Sequence, residues 1–155
     1  MKPLLGHTVG LDTAPLIYFI EKHPVYLPLL QPFFEAVEHG DIEIVTSTLT
    51  LTEVLVHPLQ QGDEVLAGQY SRILLNASHV TMLPVSPAIA IEAAHLRASR
   101  GYKTPDAIQL ATAESGHATF FVTNDEALTN TSGMQVLVLK NLVGQPEIPL
   151  RRPLA

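Results

Sequence analysis

Cysteine and tryptophan are both absent from this chain of 155 residues. The first absence excludes disulfides, thiolate metal sites and cysteine nucleophiles. Aromatic residues make up only 6% of the chain, so base stacking has few rings to draw on and no stacking residue is assigned. Positive charge is also scarce: 9 Lys and Arg against 15 Asp and Glu leave a net charge of −6. That balance argues against tight, non-specific nucleic-acid binding through counterion release. It leaves room for an enzyme with clustered carboxylates, because a bound metal reverses the local field. No apolar run approaches the length of a membrane span, and the segment MKPLLGHTVG does not read as a signal peptide. These features fit a cytoplasmic protein with no membrane partner. The 7 His show no H-x-H or H-E-x-x-H spacing, which disfavours a His-based zinc site. G-x-G-x-x-G, P-loop and G-x-S-x-G motifs are missing too.

Apolar residues are abundant, at 46% of the chain. Mean hydropathy is +0.23. This suits one domain with a sizeable core and hints at an interface with another chain. The pattern predicts strands at Val9–Asp12, Ile42–Ser47, Val80–Val85, Thr119–Val122 and Gln135–Leu139. Between them it predicts helices near 15–22, 28–39, 50–59, 64–76, 87–99 and 105–115, with Thr104 as a cap, and a short helix over Asp125–Leu128. Strands alternating with helices give an α/β domain with a mostly parallel sheet over residues 1–140. A Pro-rich tail, 141–155, reads as irregular or extended and carries Arg151 and Arg152.

Four acids stand where strand-like runs end or helix-like runs begin: Asp12, Glu53, Asp106 and Asp125. In open parallel sheets ligands bind beyond the carboxyl ends of the strands, which makes Asp12 and Asp125 expected neighbours. Like charges brought within ~5 Å repel by roughly 3 kcal/mol per pair at an effective dielectric of ~20. A fold that gathers them needs a compensating cation, usually a divalent metal. Each acid also has an ordinary local reading. Asp12 fits a helix cap before Pro15. Thr50 and Glu53 have capping-box spacing, as do Thr123 and Glu126. Asp106 fits a favourable first-turn acid. Thr123 and Asn124 offer further oxygens for a water, metal or phosphate. Arg97, Arg100 and Lys103 cluster before Asp106 and suit either an RNA backbone or a solvated helix end.

Taken together, VGLDTAPLIYFI, TLTLTEVL, LRASRGYKTPDAIQLATA and FFVTNDEAL resemble the PIN-domain nucleases, and most nearly their VapC-like toxin group. Leu96–Leu128 is the most specific stretch. The resemblance implies a three-layer α/β/α sandwich with a central parallel sheet. It also implies a Mg²⁺- or Mn²⁺-dependent endoribonuclease acting on single-stranded or structured RNA, a homodimer, and an antitoxin partner. By position it assigns Asp12, Asp106, Asp125 and Glu53 as metal-binding and catalytic residues, with Thr13 and Thr123 supporting them. A haloacid-dehalogenase-like phosphohydrolase needs a second acid two residues after the first, where this chain has Ala14. A catalytically inactive PIN-fold scaffold or RNA-binding module is the other alternative; such a protein is expected to lack one of the acids.

Overall fold

The computed structural model describes residues 3–145 and 148–150. Among them five strands form one parallel sheet: β1 (Thr8–Leu11), β2 (Glu43–Ser47), β3 (Val80–Leu83), β4 (Phe120–Thr123) and β5 (Gln135–Val138). Six helices connect them: α1 (Thr13–Ile20), α2 (Leu27–Glu38), α3 (Thr48–Gln60), α4 (Glu64–Asn76), α5 (Pro87–Arg100) and α6 (Thr104–Ser115). The strand order is β3-β2-β1-β4-β5. Parallel neighbours require long crossovers, which the helices supply. The chain starts at the centre, runs out to one edge, then returns to fill the other. That reversal puts a topological switch point between β1 and β4, the position at whose carboxyl edge open parallel sheets bind ligands. The architecture is the expected α/β/α sandwich.

Alternation along the strands divides the core in two. Val9, Leu11, Ile44, Phe120, Val122 and Leu137 join one cluster, with Leu16, Leu30, Phe33, Val54, Tyr70 and Leu74 from the helices. Phe121 faces the other way and joins Ile89, Ala93, Leu96, Ala107, Leu110 and Ala111 of α5 and α6. Both faces of the sheet are therefore covered, which is why its strands read as continuous apolar runs. At Gly10 an added Cβ would lie 2.5 Å from the Ala113 Cβ and 2.7 Å from the Phe121 ring. Only a residue without a side chain lets α6 lie this close to the central strand.

Leu4 N–H donates to Pro149 O at 3.1 Å, and Leu5 N–H to Leu150 O at 3.1 Å. Leu4 and Ile148 are fully buried. The described part of the tail thus packs into the core rather than trailing from it. Arg151 and Arg152 lie outside the described residues. No helix among the described residues is long and apolar enough to cross a membrane.

Three local expectations are corrected. Ser47, not Thr50, caps α3: its hydroxyl accepts from Leu49 N–H at 3.1 Å, so α3 starts earlier and Thr50 is fully buried. Thr104 is the first residue of α6 rather than its cap, and its hydroxyl accepts from Arg97 Nη1 at 2.7 Å. Asp125–Leu128 forms turns, not a helix. There Thr123 Oγ1 accepts from Asp125 N–H at 3.1 Å, and Asp125 Oδ1 accepts from Ala127 N–H at 2.9 Å. Such side-chain bonds give the backbone an alternative to helix, and they dissolve the Thr123–Glu126 capping box as well.

Candidate active site

Asp12 ends the central strand. Its N–H donates to Val122 O at 3.0 Å, continuing the β1–β4 ladder by one step. Its side chain caps α1: Oδ1 accepts from Thr13 N–H at 2.8 Å. The register pairs Leu11 with Val122, so Thr123 lies beside Asp12 and donates to Oδ2 at 2.7 Å. The helix-cap reading and the site reading of Asp12 are therefore compatible: one oxygen serves each element.

Glu53 lies in the second turn of α3, one turn later than the capping-box reading implies. Thr13 Oγ1 donates to its Oε1 at 3.0 Å, which joins α1 to α3. Asp106 sits in the first turn of α6, a half-buried acid at a helix N-terminus. Asp125 follows β4 by two residues and is half-buried.

The electrostatics bind these positions into one cluster. Burial, the largest cause, raises the Asp12 carboxyl above its ordinary range; bonds from Thr123 and Thr13 oppose that rise, and repulsion from Glu53 and Asp125 adds to it. Burial likewise raises Asp106, with repulsion from Asp12 and Asp125 next, Lys103 opposing, and Glu53 adding a smaller push. Each of the four acids thus acts on at least one other. Among the described residues no Lys or Arg pairs directly with any of these acids; the one close acid–base contact is His79 Nδ1 with Glu43 Oε1, at 2.7 Å, outside this cluster.

The donor set is all hard oxygen; burial and repulsion disfavour ionisation of Asp12 and Asp106, which is the chemistry a divalent cation relieves. Among the described residues no three acidic or imidazole groups stand close enough to hold an ion as they are placed. The residues fit such an ion in kind and in neighbourhood, and binding would require the carboxylates to close on it.

The supporting residues sort by what their polar atoms already do. Thr13 and Thr123 belong to the cluster through the bonds above. Asn124 is spent on anchoring: Nδ2 donates to Tyr18 Oη at 3.2 Å, and Oδ1 accepts from Lys140 N–H at 2.9 Å. Arg97 Nε donates to Tyr102 O at 3.0 Å, closing the α5–α6 turn. Arg100 Nη1 donates to Thr129 Oγ1 and Asn130 O, both at 3.0 Å, tying down the loop that follows Asp125. Lys103, exposed just before α6, is the basic residue that acts electrostatically on Asp106.

Sequence reasoning missed Gln109, Thr50 and Thr46. All three are buried. Gln109 Nε2 donates to Thr50 Oγ1 at 2.7 Å, and Thr46 Oγ1 donates to the same oxygen at 3.1 Å. The available signal was a polar residue three positions after Asp106 on an otherwise small and apolar helix face.

Solved structures of similar fold include VapBC2 from Rickettsia felis bound to a DNA fragment from their promoter. The match has a TM-score of 0.64 and 17% identity, and covers 84% of this chain and 98% of the other. A toxin–antitoxin complex from Klebsiella pneumoniae matches with a TM-score of 0.60 and 24% identity, over 85% of this chain and 97% of the other. DNA-bound VapBC from Salmonella typhimurium matches with a TM-score of 0.58 and 18% identity, over 86% and 98%. No curated protein matches the chain. The PIN domain matches over residues 9–134, a span that holds all four acids, β4 and all of β1 but Thr8. The chain belongs to the PIN-domain family.

Proposed function

We propose that this protein is a metal-dependent endoribonuclease and the toxin of a toxin–antitoxin pair. The observation that carries the reading is the acid cluster at the switch point, where burial and mutual repulsion raise Asp12 and Asp106. A purely structural role gives no reason to gather four carboxylates at one edge of a sheet.

In this reading Asp12, Asp106, Asp125 and Glu53 hold Mg²⁺ or Mn²⁺. Such an ion, when bound, lowers the pKa of a water and stabilises charge on the scissile phosphate. Thr13 N–H and Thr123 Oγ1 hold the Asp12 carboxylate from two sides, so it is the fixed point toward which the other carboxylates would close. Glu53 has Oε1 engaged by Thr13, and its other oxygen would hold the ion or orient the attacking water. Hydrolysis adds water across the P–O3′ bond, leaving a 5′-phosphate and a 3′-hydroxyl. Lys103 is the basic side chain best placed to meet the RNA backbone, since Arg97 and Arg100 are occupied by the turn and loop they brace.

Two further features support protein partners. A groove of about 750 Å³ between α1, α2 and α4 is lined by Phe19, Phe34, Ile73 and Val80, among others, and suits the apolar face of an antitoxin segment. Val56, Leu59 and Val65 are exposed apolar residues on α3 and α4, which pack against each other, and they suit a homodimer contact.

The test is cleavage of a labelled single-stranded RNA with Mg²⁺, with Mn²⁺ and with EDTA, comparing wild type with Asp106→Asn. Metal-dependent cleavage that falls at least ~100-fold in the variant is expected for loss of a metal-binding carboxylate. Absence of cleavage with either metal, in folded protein freed of any bound inhibitor, would shift the reading to a scaffold or RNA-binding module.

A further inference from the structure

Beneath the acidic rim lies a side chain with no role in the reaction described above. Gln109 is 3% exposed and sits one turn after Asp106 on α6. Its amide nitrogen donates one N–H to Thr50 Oγ1 at 2.7 Å and shares the other between Thr13 Oγ1 at 3.3 Å and Glu53 Oε1 at 3.4 Å. One side chain thus joins α6 to α1 and to two turns of α3. Thr46 of β2 extends the chain, donating to Thr50 Oγ1 at 3.1 Å.

Proton order follows from the chemistry of the groups. An amide NH₂ only donates, and an ionised carboxylate only accepts. Thr13 receives an N–H from Gln109, so its own hydroxyl proton goes to Glu53 Oε1, at 3.0 Å. Turning the amide over would set its oxygen against the carboxylate, so the network selects this orientation. Two donors converge on Oε1, and among the described residues no hydrogen bond engages Oε2.

We infer that Gln109 is a positioning residue that sets the spacing of α6 and α3, and thereby holds Glu53 opposite Asp106 with one carboxylate oxygen committed and the other left to the site. The inference rests on the metal-dependent nuclease reading. Its rival is a buried glutamine that merely satisfies neighbouring hydroxyls and adds stability.

The full chain is compared with Gln109→Met, Thr50→Val, the double variant and Thr50→Ser. Four quantities are read: thermal melting, kcat and KM on single-stranded RNA with Mg²⁺, and Mn²⁺ affinity by calorimetry without RNA. Outer-shell partners of metal-binding carboxylates are worth about 10–100-fold in metal affinity or activity. Gln109→Met is therefore expected to lower kcat by about 10–100-fold and Mn²⁺ affinity by at least ~10-fold, with KM for RNA within about two-fold. The double variant should lose no more than Gln109→Met alone, because both act through one chain of bonds. Thr50→Ser, which keeps the hydroxyl, should restore what Thr50→Val loses.

Wild-type kcat and Mn²⁺ affinity in Gln109→Met, whatever its melting temperature, would overturn the inference in favour of the rival. Should Gln109→Met not fold, the Thr50 pair decides: loss in Val with recovery in Ser supports the inference, and equal behaviour overturns it. If wild type binds Mn²⁺ but cleaves no RNA, the nuclease reading fails while the Mn²⁺ affinities of the variants still judge Gln109. If it neither binds Mn²⁺ nor cleaves, both fall.

Discussion

The two faces of the sheet are filled by opposite means. Toward α1, α2 and α4 the core is built from bulk: Phe33, Tyr70, Phe120, Leu16 and Leu30 are all essentially buried. Toward α6 it relies on small residues: Ala113 comes close to Gly10 and Phe121, and Ala107 and Ala111 are buried in the same cluster. Bulk tolerates adjustment, because large side chains can shift rotamers around a lost neighbour. Close approach of backbone to backbone has no such slack. The thin face is also the one that carries Asp106 and Gln109. A helix seated directly on the central strand brings its first turn to the end of that strand, where Asp12 is. The difference between the faces thus separates a side that supplies stability from a side that fixes distances.

That contrast can be broken by experiment. Phe33→Ala on the bulky face should cost about 3–5 kcal/mol by equilibrium denaturation, from lost transfer energy and a residual cavity. A cost near 1 kcal/mol would mean that this face collapses around the gap. Gly10→Ala on the thin face adds a methyl that would lie 2.5 Å from the Ala113 Cβ and 2.7 Å from the Phe121 ring, and should cost about 1–3 kcal/mol through displacement of α6. Its signature is expected in function as well as stability: metal affinity should drop in Gly10→Ala more than in Phe33→Ala at matched fraction folded. An equal drop would sink the division of labour between the faces.

Smaller effects sharpen the comparison. Tyr70 is fully buried and its hydroxyl donates to Glu21, with its ionisation pushed up by burial first and then by Glu21. Tyr70→Phe should cost about 1 kcal/mol, since Glu21 is exposed and can rehydrate. The smallest expected effect concerns pH. Asp12 and Asp106 titrate above the ordinary value of 3.8 in the folded, metal-free protein. As pH rises past 3.8 the unfolded chain gives up these protons first, so the native state holds more of them and stability falls across the window up to the raised values. Their favourable contribution is complete below the unfolded value and gone above the folded one. Thermal melts in EDTA should show this decline in wild type and a shallower one in Asp12→Asn, which should also melt a few degrees higher at neutral pH. A variant that melts lower would show that the Thr13 and Thr123 bonds outweigh burial and repulsion.

Much of the site was legible because parallel sheets follow simple rules. Short apolar runs ending in Asp12 and Thr123 become neighbours once β1 and β4 are adjacent and parallel, and the register Leu11 to Val122 does the rest. The alanine-rich face of α6 announced close packing through residue size alone. Illegible were the choices among competing hydrogen bonds. Thr50 and Glu53 satisfied a capping pattern locally, but Ser47 was available three residues earlier and left Thr50 to the interior. Thr123, Asp125 and Glu126 looked like the start of a helix until side-chain bonds took the N–H groups. Gln109 stood out only as a polar residue on a small, apolar helix face; periodicity marks where a residue is buried and says nothing of the hydrogen-bond partners it finds there. Arg97 and Arg100 were visible as charge, yet their bonds to Tyr102, Thr104 and Thr129 depend on a turn geometry that spacing does not specify.

The pairing of Leu4 and Leu5 with Pro149 and Leu150 has a practical consequence. It joins the two ends of the described chain just ahead of β1, at the edge of the sheet opposite the acids. Fluorophores attached to these two segments would begin within energy-transfer range and report their separation as the chain unfolds. Because the reporter sits a full sheet-length from Asp12 and Asp106, it could be watched while metal or RNA is added, without obstructing either.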